Sequence, residues 1–171
     1  MPQSYECAVA LGSNLGNSLT IVRSAIEVMA RGVEVVAVSR WYRTKAIGYR
    51  SGMVVLVDQP DFINGCALIR TDWEPLPLLQ FLLDIELQFG RVRQEPGSAR
   101  TLDLDLLFCD DCVITTPELQ LPHPRMTDRG FVLFPLAEIA PHWHHPTHNR
   151  SVLELLAALD RPLCEPIPHG N

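Results

Sequence analysis

The run Arg100-Thr101-Leu102-Asp103-Leu104-Asp105-Leu106 constrains the fold more than any other stretch of this chain. Strict alternation of leucine with aspartate is a period of two. Thr101 to Phe108 is therefore a strand, with Leu102, Leu104 and Leu106 entering a core and Asp103 and Asp105 side by side on the other face. The remaining elements are read around it. Cys7 to Leu11 is a short apolar strand that ends in the loop Gly12-Ser13-Asn14-Leu15-Gly16. Ser18 is a candidate N-cap for a helix in which Leu19, Val22, Ile26 and Met29 recur at helical spacing until Gly32. Val33 to Tyr42 is rich in β-branched residues and reads as a second strand. Arg43 to Asp61 reads as a long loop containing an apolar patch, Met53 to Val57, to which no role is assigned.

Phe62 to Ile69 is a third strand, with Phe62, Asn64, Cys66 and Leu68 on one face and Ile63, Ala67 and Ile69 on the other. From Pro75 to Phe89, Leu78, Leu82, Ile85 and Phe89 form a helical stripe, with proline confined to the first turn and Gly90 at the end. Helical segments near Phe131 to Ile139 and Ser151 to Leu159 complete the chain. The order strand, helix, strand, strand, helix, strand predicts an α+β, ferredoxin-like βαββαβ core with a mostly antiparallel sheet. At 171 residues the chain is expected to be a single domain, with its core over about 5–160 and a C-terminal tail at 161–171.

Neighbouring carboxylates on one sheet face repel unless something positive lies between them. Magnesium does this with one or two protein carboxylates, completing its shell with water and phosphate oxygens. A bare Asp-x-Asp on its own favours a solvated strand face. Its surroundings change the balance: Arg91, Arg93 and Arg100 flank the loop entering the strand, and guanidinium groups match phosphate oxygens bidentately. Metal-binding acids beside phosphate-binding arginines point to a nucleotide site. Glu86, one turn before the loop, reads equally as a surface helix acid or as an outer carboxylate of that site. A net charge of −6 argues against general attraction to nucleic acid but leaves room for such a local basic cluster. No apolar run approaches the roughly 20 residues needed to span a bilayer, and the first residues lack the pattern of a secretory signal, so the expected compartment is the cytoplasm. The five cysteines are odd in number and lie mostly in apolar runs, which suits reduced thiols.

In order along the chain, Ala10-Leu11-Gly12-Ser13-Asn14-Leu15-Gly16, Tyr42-Arg43-Thr44, Gln59-Pro60-Asp61-Phe62-Ile63-Asn64, Ile85-Glu86-Leu87, Gly90-Arg91-Val92-Arg93, Arg100 to Asp105, Pro122-His123-Pro124 and Arg129-Gly130-Phe131-Val132-Leu133 resemble the 6-hydroxymethyl-7,8-dihydropterin pyrophosphokinase family. Each segment is modest alone, and their ordered recurrence up to about Pro141 is specific. The resemblance implies transfer of pyrophosphate from ATP to the hydroxymethyl group of a reduced pterin, with AMP leaving, in folate synthesis. It implies that Asp103 and Asp105 hold two magnesium ions and that Arg91 and Arg100 engage phosphates from a mobile loop. His123 and Arg129 match residues on the ATP side, and Glu86 matches a position near the phosphate end. Phe62 and Phe131 match the aromatic pair that sandwiches the pterin, Asn64 matches the side chain that bonds its edge, and Thr44 and Ile47 lie where the family contacts it through backbone groups. From the residues alone, core packing would be the reading of both phenylalanines. The implied partners are ATP and the pterin, with no nucleic acid or membrane, and a monomer is expected.

The segment Gln94-Glu95-Pro96-Gly97-Ser98-Ala99 is shorter than in the family's familiar form and lacks its capping tryptophan, which implies weaker loop closure. The 48–61 region is longer, and its apolar patch is expected to replace part of that lid or to form a contact surface. Pro124 stands where an aromatic can occur. Gly12 to Gly16 lacks the Gly-Lys-Ser/Thr ending of a phosphate cradle and reads as a turn. Cys109 and Cys112 read as an isolated pair, and His142, His144, His145 and His148 as a surface loop. Rival functions are a magnesium-dependent phosphoryl transferase with another acceptor, and a catalytically weak paralogue that binds ATP or pterin as a sensor; the shortened loop favours the second, whereas intact Asp103, Asp105, Arg91 and Arg100 favour catalysis.

Overall fold

The structure is a computed structural model that describes residues 3–92, 94–160 and 164–168. Its frame is antiparallel throughout. The central strand β1 (Tyr5–Ser13) pairs on one side with β6 (Phe62–Thr71) and on the other with β7 (Asp103–Cys109). The outer edge of β6 is covered by β2 (Glu34–Val38) and then β3 (Tyr42–Thr44). Counting β2 and β3 as one interrupted strand, the spatial order is second, third, first, fourth, the arrangement of a split βαβ repeat. The ferredoxin-like α+β expectation therefore holds.

Helices α1 (Ser18–Met29) and α2 (Pro75–Gln88) lie on one face. Val22, Ala25 and Met29 from α1 and Leu78, Leu82 and Ile85 from α2 pack there on Val9, Leu11, Ile69, Leu104 and Leu106. Burying a side chain of this size contributes roughly 1.5–3 kcal/mol. On the opposite face, α3 (Gly130–Ile139) and α4 (Val152–Ala157) bring Val132, Leu133, Leu136, Val152 and Leu155 onto Ala8, Cys66, Leu68, Leu107 and Phe108. A bulge makes this second face continuous. Val9 opposes Leu106 and Ala8 opposes Phe108, so Leu107 is the extra residue and the next side chain changes face. Phe108 thus reaches the α3/α4 layer, while Asp103 and Asp105 stay at the end of that face beyond the apolar cluster.

Several expectations need correction. The strand expected over Val33 to Tyr42 is broken at Ser39, whose backbone N–H donates to the Cys66 carbonyl at 2.9 Å while its hydroxyl accepts from the Cys66 N–H at 2.9 Å. Side-chain bonding of this kind substitutes for the ladder and ends regular pairing. The long loop expected over Arg43 to Asp61 is largely a hairpin of β4 (Ile47–Arg50) and β5 (Met53–Leu56), closed by Ser51 and Gly52 with φ 51° and 77°. Asn17, not Ser18, caps α1, accepting from the Thr20 N–H at 3.3 Å. A short hairpin of β8 (Ile114–Thr115) and β9 (Gln120–Leu121) was not foreseen. In the expected tail, β10 (Glu165–Pro166) pairs with the outer edge of β3, and 161–163 and 169–171 lie outside the described residues. No helix among the described residues is long and apolar enough to cross a membrane.

Candidate active site

Alternation in β7 turns Asp103 and Asp105 to the sheet face that α3 and α4 leave uncovered, and two arginines meet the first of them. Arg91 Nη1 lies 2.7 Å from Asp103 Oδ1 and Arg100 Nη1 lies 2.9 Å from Oδ2. Arg91 leaves α2 just after Gly90, whose φ of 78° ends the helix and turns the chain back. Glu86, on the last turn of α2, is 3% exposed. Its Oε1 lies 2.6 Å from Arg91 Nη1 and accepts the Leu104 N–H at 2.7 Å. Of the two readings left open for Glu86, a surface helix acid is excluded: the carboxylate is inside and ties α2 to β7 and to Arg91. Arg93 lies outside the described residues.

Asp105 differs from its neighbour. It has no hydrogen-bond or ion-pair partner among the described residues, and burial together with the Asp103 charge raises its carboxyl well above the usual carboxylate range. Burial also raises Glu86, against its bond from Leu104 and the pull of Arg91. A desolvated carboxylate without a partner beside a second carboxylate fits a hard cation; together these two supply only the one or two protein oxygens magnesium needs. Among the described residues no group of three or more His, Cys, Asp or Glu is arranged to hold a metal. That includes His142, His144, His145 and His148, where His145 Nδ1 instead accepts the backbone N–H groups of Thr147 and His148, each at 3.3 Å.

The acid pair stands where two cavities meet. One, of about 510 Å³, is lined by Glu86, Arg91, Arg100, Asp103, Asp105 and His123, and is walled by Leu79, Leu83 and the β8–β9 hairpin. The second, of about 500 Å³, shares Arg100, Asp103 and Asp105 and is otherwise lined by Gly12, Thr44, Ile47, Tyr49, Phe62, Asn64, Arg129 and Phe131. Of the expected ATP-side residues, Glu86, Arg91, Arg100 and His123 fall in the first cavity and Arg129 in the second. Every expected ring-side residue falls in the second. Asn64 is held there by donating to Thr44 Oγ1 at 2.7 Å. Arg129 lies with its guanidinium 5.5 Å from the centre of the Phe131 ring. Burial and the nearby Arg129 push His123 down to about 4, so it is neutral near pH 7.

Sequence reasoning missed three parts of this floor and rim. Gly12 was read only as the start of a turn. It lies inside β1, and a Cβ there would sit 2.8 Å from Asn64 Oδ1, so the missing side chain is what lets Asn64 occupy the cavity floor. A glycine inside a strand is the readable signal for it. The β4–β5 hairpin contributes Ile47, Gly48 and Tyr49 to the ring-side wall, with the Arg125 guanidinium 4.9 Å from the Tyr49 ring centre, while Met53, Val54 and Leu56 point to solvent. Asn14 and Gln59, quoted only as parts of motifs, tie the loops beneath Arg100 together.

Over residues 8–141 the sequence matches the 7,8-dihydro-6-hydroxymethylpterin-pyrophosphokinase family. The chain belongs to that family. A Synechocystis relative named 2-amino-4-hydroxy-6-hydroxymethyldihydropteridine pyrophosphokinase is 42% identical over 170 residues, covering 98% of this chain and 83% of its own length. A Pseudomonas aeruginosa protein of the same name is 42% identical over 152 residues, covering 88% of this chain and 89% of its own. Among solved structures, a Plasmodium falciparum HPPK-DHPS superposes on 91% of this pyrophosphokinase-family chain with a TM-score of 0.70 at 15% identity, a likeness of fold alone, and this chain spans 44% of that one. The matched span runs from β1 to just past α3 and so takes in both cavities.

Proposed function

We infer that this chain transfers pyrophosphate from ATP to the hydroxymethyl group of 6-hydroxymethyl-7,8-dihydropterin, releasing AMP, in folate biosynthesis. The observation that carries the reading is the junction of the two cavities at Asp103, Asp105 and Arg100. A donor and an acceptor bound on either side of that junction meet over the carboxylates. The ring-side cavity suits a flat heterocycle: Phe62 and Phe131 supply aromatic faces, and Asn64 and Thr44 supply polar atoms for its edge. The phosphate-side cavity suits a triphosphate, with Arg91 and Arg100 as guanidinium clamps.

Family membership supports the direction of the chemistry. The hydroxymethyl oxygen attacks the β-phosphorus of ATP and releases its proton to solvent, the bond between the β-phosphorus and the bridging oxygen to the α-phosphate breaks, and AMP leaves with that oxygen. Positioning and charge neutralisation carry such a transfer, and no protein nucleophile is needed. Asp103 and Asp105 would hold magnesium, with two ions expected; bound, it neutralises phosphate charge as the transfer proceeds. Arg91 and Arg100 are paired to Asp103 before substrate arrives. Phosphate oxygens and the cation together offer the two arginines and the carboxylate new partners, so the ion pairs exchange without leaving an unpaired charge in the site. Glu86 keeps Arg91 at the cavity wall during that exchange. The presence of both acids and both arginines argues against a sensor that has lost catalysis. All five thiols are free, which suits a reducing compartment, and we place the reaction in the cytoplasm.

The test is direct. Protein, ATP, magnesium and 6-hydroxymethyl-7,8-dihydropterin should yield AMP only when the pterin is present; ADP, or no product, overturns the reading.

A further inference from the structure

Three loops that the sequence keeps far apart converge on one buried amide. Asn14, at the end of β1, is 1% exposed. Its backbone N–H donates to the Arg100 carbonyl at 3.1 Å, and its Oδ1 accepts the Arg100 N–H at 2.9 Å. The pair of bonds imitates a ladder rung and extends the β1–β7 pairing, which ends at Gly12 opposite Asp103, to the residue that carries the shared guanidinium. The other end of the same amide reaches the segment that leads into β6: Nδ2 donates to Gln59 Oε1 at 3.1 Å and to the Pro60 carbonyl at 3.2 Å. Gln59 then returns to the Arg100 loop, its Nε2 donating to the Gly97 carbonyl at 2.8 Å. Two residues beyond Pro60, the chain supplies Phe62 and then Asn64 to the ring-side cavity.

We propose that Asn14 is a positioning residue whose amide fixes Arg100 relative to the segment carrying Phe62 and Asn64, so that phosphate and ring are held in one register. Its acceptor and donor ends are both used, and each end holds the approach to a different cavity. A purely local turn residue would bond within its own loop; Asn14 bonds out of it at each contact named above. The consequence is a coupling between the two substrates' sites that runs through hydrogen bonds rather than through contact with either molecule. Misplacement of a reacting group by about 1 Å lowers turnover by about 10²-fold, which sets the scale of the effect.

The kinetic arm rests on the pyrophosphokinase reading, and a substrate-free arm does not. Single-turnover AMP formation, which still reads slow variants, is measured for wild type, Asn14→Ala, Arg100→Ala and the double variant. Asn14→Ala should lower the rate about 10²-fold, and this loss should shrink to about threefold or less when Arg100 is already alanine, the non-additivity of residues acting as one unit. Equal losses in both backgrounds, or an unchanged rate, overturn the proposal. Should Asn14→Ala fail to fold, Gln59→Leu removes the half-buried link while sparing the Asn14–Arg100 bonds, and its own rate loss must likewise vanish in the Arg100→Ala background. Without substrates, hydrogen exchange at the Arg100 amide should accelerate in Asn14→Ala; unchanged exchange sinks the clasp. If the wild type makes no AMP, the functional reading fails while exchange still decides the inference.

Discussion

Gly12→Ala tests how the ring-side cavity is built, because the substitution adds a single carbon at a known place. The new Cβ would lie 2.8 Å from Asn64 Oδ1 and 3.9 Å from Phe62 Cδ1, where ordinary contact begins at 3.4 Å. The Asn64 amide must therefore retreat by about 0.6 Å, a deep intrusion on the repulsive side of the contact. That movement draws Asn64 Nδ2 off its 2.7 Å bond to Thr44 Oγ1 and turns the amide away from a bound ring. The Thr44 bond is lost from free and bound protein alike, whereas a ring-edge group left without its Asn64 partner in the closed cavity costs roughly 1–3 kcal/mol of binding. Affinity for the pterin should fall about 10- to 100-fold. The backbone at Gly12 is not left-handed, so alanine brings no strain there. The lower entropy of the unfolded chain, worth roughly 0.4–1 kcal/mol, offsets part of the clash and keeps the variant folded. Calorimetric titration with the pterin and, separately, with an ATP analogue should show weakening of the first alone. In an Asn64→Ala background, where the obstruction is gone, Gly12→Ala should cost nothing further. Pterin affinity within twofold of wild type, or an equal fall for the nucleotide, would refute the account of the cavity floor.

Other substitutions address the acid cluster and its surroundings. Asp105→Ala removes a desolvated carboxylate that has no partner among the described residues, so turnover should vanish while thermal stability without substrate stays level or rises; wild-type turnover would remove its metal role. Glu86→Ala leaves the Leu104 N–H without its acceptor and Arg91 with Asp103 but not Glu86 to hold it, which should cost about 1–3 kcal/mol in urea unfolding. Glu86→Gln keeps the acceptor, and a stability as low as that of the alanine variant would count against this role. Burial pushes His123 down to about 4 from an ordinary 6.5, so between those values the unfolded chain takes up a proton that the folded one refuses. Stability without substrate should be independent of His123 above pH 6.5 and fall by up to about 3 kcal/mol as pH drops toward 4. His123→Asn should flatten the dependence, and an unaltered pH profile of melting would refute it.

The parts of the fold that depend on periodicity were legible in the residues. Leu102 to Leu106 alternates and Leu78, Leu82 and Ile85 repeat at helical spacing, because each element packs one apolar side on a common core. Elements whose geometry is set by side chains from elsewhere were not legible. Ser39 interrupts a β-branched run only because Cys66 on β6 is there to bond it. The Ser51-Gly52 turn was available as a hairpin signal, yet β5 exposes most of its apolar residues, so no alternation marked it as a strand. In the candidate site, the shared face of Asp103 and Asp105 was legible because a strand's period fixes it. Glu86 was left undecided because a lone helix acid says nothing about the Leu104 N–H waiting opposite it. Asn14 and Gln59 act across chain separations that no local pattern carries.

Why the candidate site sits at this end of the sheet follows from how the second helical layer is spent. α1 and α2 cover the first face, but α3 and α4 reach only the portion held by Ala8, Cys66, Leu68, Leu107 and Phe108. The bulge at Leu107 is what divides the strand: past it Phe108 can join the apolar layer, and before it β7 shows carboxylates. Without that bulge, and with Phe108 still opposite Ala8, residues 104–107 would slip by one, turning Leu104 and Leu106 toward the cavity face and Asp105 toward α1 and α2. The bulge therefore ties the position of the acid pair to the packing of α3, whose first turn also delivers Phe131 to the ring-side cavity. A sheet face filled uniformly by apolar side chains would be better covered, and it would have nowhere to join two substrates.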